Sequence, residues 1–209
     1  MTGQIQWLPD IRNGRWARLA AALQSGLPVP AGFVVTEDCR EGAIRDAYND
    51  LTARAHTHYV AVRGPTHAVI EILGNDRVVH ALRAMWTESA AAQILVQSMI
   101  NAEWCGKASC ESPHVRIHAS AGLLCLDPDV YVFDALSKEC TERILHERPR
   151  RAFRGVDGTT RTMQIQGERR PFEAKYLKQV AELAERAASR ITWALDDRRL
   201  WLLSTTVSR

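Results

Sequence analysis

The chain has 209 residues, a mass of 23.4 kDa and 46% apolar residues, which is enough for one large domain or two small lobes with a packed core. Its 27 basic and 24 acidic side chains are spread along the sequence, so the net charge of +3 argues against nucleic acid as a partner. No stretch approaches the roughly 20 apolar residues of a membrane helix, and the N-terminus lacks the pattern of an export signal. We therefore expect a cytoplasmic protein with no membrane partner.

The first part of the chain alternates helices and strands. Apolar residues at helical spacing predict a helix over Arg15–Ser25, and the glycine and prolines of "SGLPVPAG" end it. "GFVVT" and "YVAVRG" are predicted strands, and "NDRVVHALRAMWTESAAAQ" is a predicted helix. These elements predict a mixed α/β first lobe over residues 1–92.

The second part is richer in strands. "ILVQSMI", "VRIHASAGLL" and "VYVFDA" are predicted strands separated by turn residues, and "PFEAKYLKQVAELAERAAS" is a predicted helix. The basic segment 143–170 predicts either an exposed hairpin or a poorly ordered loop. We expect an antiparallel sheet in a second lobe over residues 93–209, packed with the first lobe as one compact unit.

A hairpin is predicted to close the chain around the turn "DDRR". Apolar residues alternate before the turn, and the positions between them hold Thr192 and Ala194, with Ser204 and Thr206 after the turn. None of these four side chains carries a charge, so the hairpin offers no carboxylate to a metal ion.

The five cysteines are odd in number and contain no Cys-x-x-Cys pair, so neither a disulfide framework nor a zinc ribbon is predicted. They are Cys39, Cys105, Cys110, Cys125 and Cys140. This pattern indicates a reducing compartment, and no metal site is predicted.

Several of these segments occur in an order that resembles one family. "SGLPVPAGFVVT", "LVQSMI", "HASAGL" and "WALDDRRLWLL" are similar to the N-terminal ATP-grasp, nucleotide-binding domain of phosphoenolpyruvate synthase, pyruvate phosphate dikinase and rifampicin phosphotransferase. The resemblance implies a two-lobed α/β (α+β) ATP-grasp-like domain whose second lobe holds an antiparallel sheet. The family's phosphohistidine and pyruvate-binding domains have no match in this sequence.

The resemblance assigns phosphate-binding roles to two arginines. Arg15 stands where the family has the lysine of a Gly-Gly-Lys-Gly turn, and Arg63 ends the strand that the family writes Val-Arg-Ser-Ser-Ala. A partly buried Arg63 needs an anionic neighbour, which is either Glu103 or Glu111 or an external anion. With His118, these two arginines are the candidate catalytic residues.

The strand "LVQSMI" resembles the family's adenine-binding hinge. The residues concerned are Gln97, Ser98, Met99 and Ile100, followed by Glu103. Because the same strand also forms core, a purely structural role for it stays open.

Metal ligands of the family are replaced in this sequence. Thr192 and Ser204 occupy the positions of a glutamate and a glutamine, His118 stands at a carboxylate position, and Glu111 stands at an arginine position. Magnesium favours carboxylate oxygens, so magnesium is not expected, and ATP is expected to bind weakly or not at all. The phosphate-covering loop of the family is also missing between "VRG" and "VIEIL".

Two hypotheses of function remain. In the first, the chain is a degenerate ATP-grasp domain, a pseudoenzyme that binds a partner protein or a small anionic or phosphorylated ligand. In the second, it is a small ATP-dependent phosphotransferase (kinase) or ligase component that uses a rebuilt site and a separate acceptor.

Overall fold

The computed structural model describes residues 3–89, 93–146, 150–155, 159–164 and 171–206. The chain forms two compact units, one of Met1–Gly26 with Pro30–Met99 and one of Leu27–Val29 with Ile100–Arg209. The predicted boundary between 92 and 93 is therefore displaced to lie between Met99 and Ile100. The boundary lies later in the chain because the strand Ile94–Ser98 pairs with strands of the first unit.

The first unit is built on a five-stranded antiparallel sheet with the order β1-β2-β5-β3-β4. Its strands are β1 (Ile5–Trp7), β2 (Gly32–Val35), β3 (Tyr59–Arg63), β4 (Ala68–Leu73) and β5 (Ile94–Ser98). Its helices are α1 (Ala17–Gln24), α2 (Glu41–Ala55) and α3 (Asn75–Glu88), and a short 3-10 turn covers Leu8–Asp10. The predicted mixed α/β character of this part of the chain is confirmed.

The core of the first unit lies between this sheet and the helices α2 and α3. Val78, Leu82 and Met85 recur at helical spacing and are at most 1% exposed, as the apolar pattern of α3 predicts. All five residues of the central strand β5 are buried. Burial on both faces explains why the apolar residues Ile94, Leu95 and Val96 of β5 are consecutive rather than alternating.

A short turn joins β3 to β4. The N–H of Gly64 donates a 2.9 Å hydrogen bond to the carbonyl of His67, which closes the turn immediately after Arg63. The two strands therefore form a direct hairpin, and no long loop follows Arg63.

The second unit contains a six-stranded antiparallel sheet with the order β13-β12-β6-β7-β8-β9, a two-stranded hairpin and one helix. Its elements are β6 (Trp104–Glu111), β7 (His114–Ala121), β8 (Asp129–Asp134), β9 (Glu139–Ile144), β10 (Arg150–Arg154), β11 (Thr160–Gln164), α4 (Ala174–Ala187), β12 (Arg190–Asp196) and β13 (Arg199–Thr206). The predicted antiparallel sheet and the closing hairpin β12–β13 are confirmed, whereas β1, β6 and β9 are strands that the sequence pattern did not predict.

The basic segment 143–170 forms the antiparallel hairpin β10–β11, so the hairpin alternative is correct for the residues that the structure describes. The rest of the segment includes 147–149, 156–158 and 165–170, which lie outside the described residues, so the alternative of a poorly ordered loop stays a prediction there. Arg150 anchors the hairpin through two hydrogen bonds to the Asp127 carboxylate, of 2.6 and 3.1 Å.

Helix α4 covers one face of the six-stranded sheet. Leu177, Val180 and Trp193 are fully buried, and the Trp193 ring stacks on Phe172 with 5.2 Å between centroids. Side chains alternate between the two faces of a strand, so Thr192 lies on the face opposite to Trp193. That opposite face carries the polar residues that the sequence singled out. Across the described ranges, none of the four helices has both the length and the apolar character needed to cross a bilayer.

Candidate functional site

Arg63 ends β3 in the first unit, and its guanidinium is held by one neighbouring side chain. Its Nε atom donates a 2.9 Å hydrogen bond to the Oε1 atom of Gln97 on β5. Burial lowers the pKa of Arg63 to about 10, so the side chain remains charged at neutral pH. No carboxylate of the described residues forms an ion pair with it. Arg63 is therefore a cation that an external anion could neutralise.

Gln97 is fully buried, and both ends of its amide have partners. Its Nε2 atom donates to the carbonyl of Pro30 at 3.4 Å, while Oε1 accepts from Arg63. We expected Gln97 in the second lobe, but the pairing of β5 with β2 and β3 places it in the first unit. The Gln97 amide holds the Arg63 guanidinium in place through this hydrogen bond, which joins the adjacent strands β5 and β3.

Arg15 lies in the exposed turn before α1, where Gly14 adopts the left-handed backbone conformation that favours glycine, with φ +84°. The Nη2 atom of Arg15 donates a 2.7 Å hydrogen bond to the carbonyl of Pro65, two residues beyond Arg63. The structure thus places Arg15 at the turn that follows Arg63, as expected if both cations serve one ligand.

Two of the three backbone N–H groups of the hinge that lie in the first unit, those of Ser98 and Met99, are already used. Ser98 donates to Ala31 at 2.8 Å, and Met99 donates to Tyr59 at 3.0 Å. Neither N–H is available to an adenine ring without breaking a hydrogen bond. This supports the structural alternative for the part of the hinge within the first unit.

Ile100 and Glu103 belong to the second unit. The N–H of Glu103 donates a 2.9 Å hydrogen bond to the carbonyl of Leu195, and the Glu103 side chain is exposed. Burial raises the pKa of Asp196, and the nearby charges of Glu103 and Asp197 raise it further. Asp196 is not recognisable as a neighbour of Glu103 from the sequence, because only the pairing of β12 with β6 brings the two residues together.

The remaining candidates lie in one row across the six-stranded sheet. Ser204 on β13 is opposite Thr192 on β12, Thr192 is opposite Lys107 on β6, and Lys107 is opposite His118 on β7. Directly opposed residues project from the same face of an antiparallel sheet. The structure therefore brings Thr192, Ser204 and His118 onto one face and adds Lys107 between Thr192 and His118. The row contains two hydroxyls, an ammonium and an imidazole, and no carboxylate.

An open pocket of about 350 Å³ lies on this face of the sheet. The polar and charged residues that line it are Lys107, Ser109, Glu111, Arg116, His118, Cys125 and Arg190. Thr192 and Ser204 lie in the same row but outside the lining. Lys107 and Arg190 could not be assigned to this site from the sequence, because the residues around them come from distant segments of the chain.

Glu111 is the carboxylate of the pocket, and it is already paired. Its Oε2 atom lies 3.6 Å from Nε of Arg116, and its Oε1 atom accepts a 3.1 Å hydrogen bond from the Ser109 hydroxyl. Glu111 therefore faces an arginine of its own unit. Lys107 and Arg190 have no hydrogen-bond or ion-pair partner within the described part of the chain.

The charge of the pocket also acts on His118. Burial lowers the pKa of His118, and the cations Arg116, Lys107 and Arg190 lower it further, against a smaller opposing effect of Glu111. The imidazole is therefore mainly neutral at neutral pH. No group of three or more acidic, histidine or cysteine side chains suited to a metal ion occurs among the described residues. Magnesium prefers hard carboxylate oxygens, and the donors of this row do not fit a magnesium ion held by the protein.

Solved structures provide the comparison for this arrangement. The D-alanine–D-alanine ligase from Bacillus anthracis complexed with ATP matches with a TM-score of 0.50 and 11% identity, over 91% of this chain and 51% of the ligase. The chain has an ATP-grasp-like fold. At this identity the likeness is evidence of the fold alone.

Two further solved structures match the chain with lower TM-scores. D-alanyl-alanine synthetase A from Vibrio cholerae gives a TM-score of 0.49 at 15% identity, over 92% of this chain and 56% of the synthetase. The ATP-grasp ligase PsnB complexed with its precursor peptide and AMPPNP gives 0.45 at 12% identity, over 92% and 49%. The chain thus spans about half the length of these proteins. No protein-family model and no curated protein matches the sequence.

The finer relationship to phosphoenolpyruvate synthase and its relatives rests on the sequence motifs alone.

Proposed function

We propose that this ATP-grasp-like domain binds a phosphate-bearing anion, with ATP as one candidate, and does not carry out magnesium-dependent phosphoryl transfer. The motifs support a degenerate relative of the nucleotide-binding domain of the phosphoenolpyruvate synthase family. A small phosphorylated ligand or an acidic segment of a partner protein, in the cytoplasm, fits the same chemistry.

The observation that carries this proposal is the row Ser204, Thr192, Lys107 and His118. Phosphoryl transfer of the family's kind needs a metal held by carboxylates near the phosphates. An ammonium and an imidazole donate hydrogen bonds to phosphate oxygens, but an ammonium cannot ligate a metal. The row therefore favours anion binding over metal-assisted chemistry.

Arg63 supports the proposal from the first unit. Its charge is held on β3 by the hydrogen bond to Gln97, without a carboxylate partner among the described residues. A cation fixed in this way can neutralise a phosphate at little cost in side-chain entropy. Arg15, at the following turn, adds a second positive charge.

Titration calorimetry with ATP, in EDTA and in excess magnesium, together with an ADP-release assay, tests the proposed function. We expect binding in EDTA, no tightening by magnesium and no ADP formation. The variant Arg63→Met should weaken binding about tenfold or more, by loss of a charged hydrogen-bond donor. The exposed Arg77 on α3 provides the matched control, and Arg77→Met should leave binding unchanged.

The second candidate function is an ATP-dependent phosphotransferase or ligase component. It is favoured by the preserved position of Arg63 at the end of β3, beside the strand that resembles the family hinge. Tight binding that requires magnesium, with ADP formed in the presence of an acceptor, would establish this function and overturn the first.

A further inference from the structure

The pocket on β6, β7 and β12 carries an inference about the form of the ligand. We propose that this pocket binds the phosphates of a polyphosphate in their metal-free form, and that Glu111 is the internal counterion that the phosphates displace. The inference rests on the proposed function, because it assigns a place and a charge state to the same phosphate-bearing ligand.

The charges of the pocket are unbalanced. Lys107, Arg116 and Arg190 bring three permanent cations to its lining, against the carboxylate of Glu111. Within the described residues, Lys107 and Arg190 contact no acceptor, so their donors are available to a ligand. A polyphosphate supplies several anionic oxygens in one molecule, which matches cations arranged on three adjacent strands.

Glu111 fits the role of a displaceable counterion. It is exposed, lies 3.6 Å from the Arg116 guanidinium, and accepts from the Ser109 hydroxyl at 3.1 Å. An ion pair this exposed is weak. A phosphate oxygen can therefore take over the contacts with Arg116 and Ser109 while the Glu111 side chain turns toward water. Removing the charge of Glu111 should then strengthen phosphate binding.

Magnesium should oppose binding at this pocket. The ion neutralises part of the charge of a polyphosphate, and so weakens its attraction to Lys107 and Arg190. A bound magnesium ion would also place its two positive charges close to Lys107 and Arg190. The row that contains Lys107 has no carboxylate that could ligate the ion. Free ATP and free tripolyphosphate should therefore bind more tightly than their magnesium complexes.

Cys125 gives a local signal of occupancy. It lies in the lining of the pocket and is exposed. Partial burial raises the pKa of its thiol, against smaller lowering effects of the Ser120 hydroxyl and of the nearby Lys107 charge. A bound polyphosphate should shield this thiol from alkylation. Cys39 lies in the other unit, so its alkylation rate serves as the internal reference.

The test is calorimetric titration of the full chain with sodium tripolyphosphate and with ATP, each in EDTA and in excess magnesium. We expect magnesium to weaken binding about tenfold, Lys107→Ala and Arg190→Ala each to weaken it about tenfold, and Glu111→Gln to strengthen it several-fold. The control is Lys178→Ala, because Lys178 is exposed on α4, the helix that covers the opposite face of the sheet.

Peptide mass spectrometry after brief alkylation supplies the second measurement. Tripolyphosphate in EDTA should slow the modification of Cys125 and leave that of Cys39 unchanged. Binding that is tightened by magnesium, or that Lys107→Ala and Arg190→Ala leave intact, would overturn the inference. Unfolding curves of each variant separate a loss of binding from a loss of fold.

The same titrations separate this inference from the proposed function. If ATP binds but the Lys107 and Arg190 variants bind it equally well, the pocket assignment fails and the proposed function stands. If neither ATP nor tripolyphosphate binds, both fail. Binding of tripolyphosphate alone, with protection of Cys125, supports the pocket and excludes ATP as the ligand.

Discussion

The Nε atom of Arg63 donates a 2.9 Å hydrogen bond to the Oε1 atom of Gln97, and this bond joins β3 to the central strand β5. The residue that resembles a phosphate-binding arginine is therefore also part of the structure of the first unit. Its substitution should affect stability as well as binding.

The first prediction follows from that bond. Arg63→Met leaves the fully buried Gln97 carbonyl without its donor, which should lower the free energy of unfolding by about 1–3 kcal/mol. Gln97→Met in the same chain removes the unpaired group, so the double variant should lose less than the sum of the single variants. Urea unfolding of all four proteins measures the coupling energy, expected near 1 kcal/mol. Strictly additive effects would show that the bond contributes nothing to stability.

The second prediction concerns Gly106 on β6. A Cβ atom there would collide with the carbonyl oxygen of His118 and lie 2.7 Å from the buried Trp193 ring. Gly106→Ala should therefore lower the free energy of unfolding by about 2 kcal/mol or more. Gly42, on α2, has open space around it, and Gly42→Ala should be neutral or stabilising by up to about 1 kcal/mol. Equal thermal shifts for the two variants would contradict the observed packing.

The third prediction is the pH dependence of stability that His118 contributes. The folded chain lowers the pKa of His118 from its ordinary value of 6.5, so the unfolded state takes up the proton first as pH falls. This stability is complete above the ordinary pKa and is lost as pH falls through the lower folded value. The charged groups near the imidazole are Arg116, Lys107, Arg190 and Glu111.

The measurement compares the wild-type chain with His118→Gln in urea, from about pH 7.5 to about pH 5. The wild type should lose stability relative to the variant as the pH falls. A stability difference that stays constant over this range would show that the pKa of His118 is the same in the folded and unfolded chain.

The fourth prediction is an order of thiol reactivity. Burial raises the pKa of Cys105 far above its ordinary range. Burial also raises the pKa of Cys125, but that thiol is exposed at the pocket, and the Ser120 hydroxyl and the Lys107 charge act in the opposite direction. A thiol reacts as the thiolate, so Cys125 should be alkylated well before Cys105 in the folded chain. Denaturant should remove the difference. Comparable rates in the native protein would contradict the burial of Cys105.

Local sequence patterns were enough to predict most helices and strands of this protein and the uncharged character of its last hairpin. The spacing of Val78, Leu82 and Met85 is enough to predict α3, because a helix must present one apolar face to the core. The closing hairpin was equally predictable, and its uncharged Thr192 and Ser204 are visible in the sequence. The strands β1, β6 and β9 were missed, because β1 has three residues and because buried and exposed positions do not alternate along β6 or β9.

Tertiary structure alone decided which residues become neighbours. The register of β6 against β7 and β12 sets Lys107 between His118 and Thr192, and the pairing of β5 with β3 gives Gln97 to Arg63. These partners come from segments far apart in the chain, and local periodicity carries no information about register between distant strands. The sequence by itself therefore determined that Thr192 and Ser204 bring no carboxylate to the hairpin, while the folded sheet decided that Lys107 lies between Thr192 and His118.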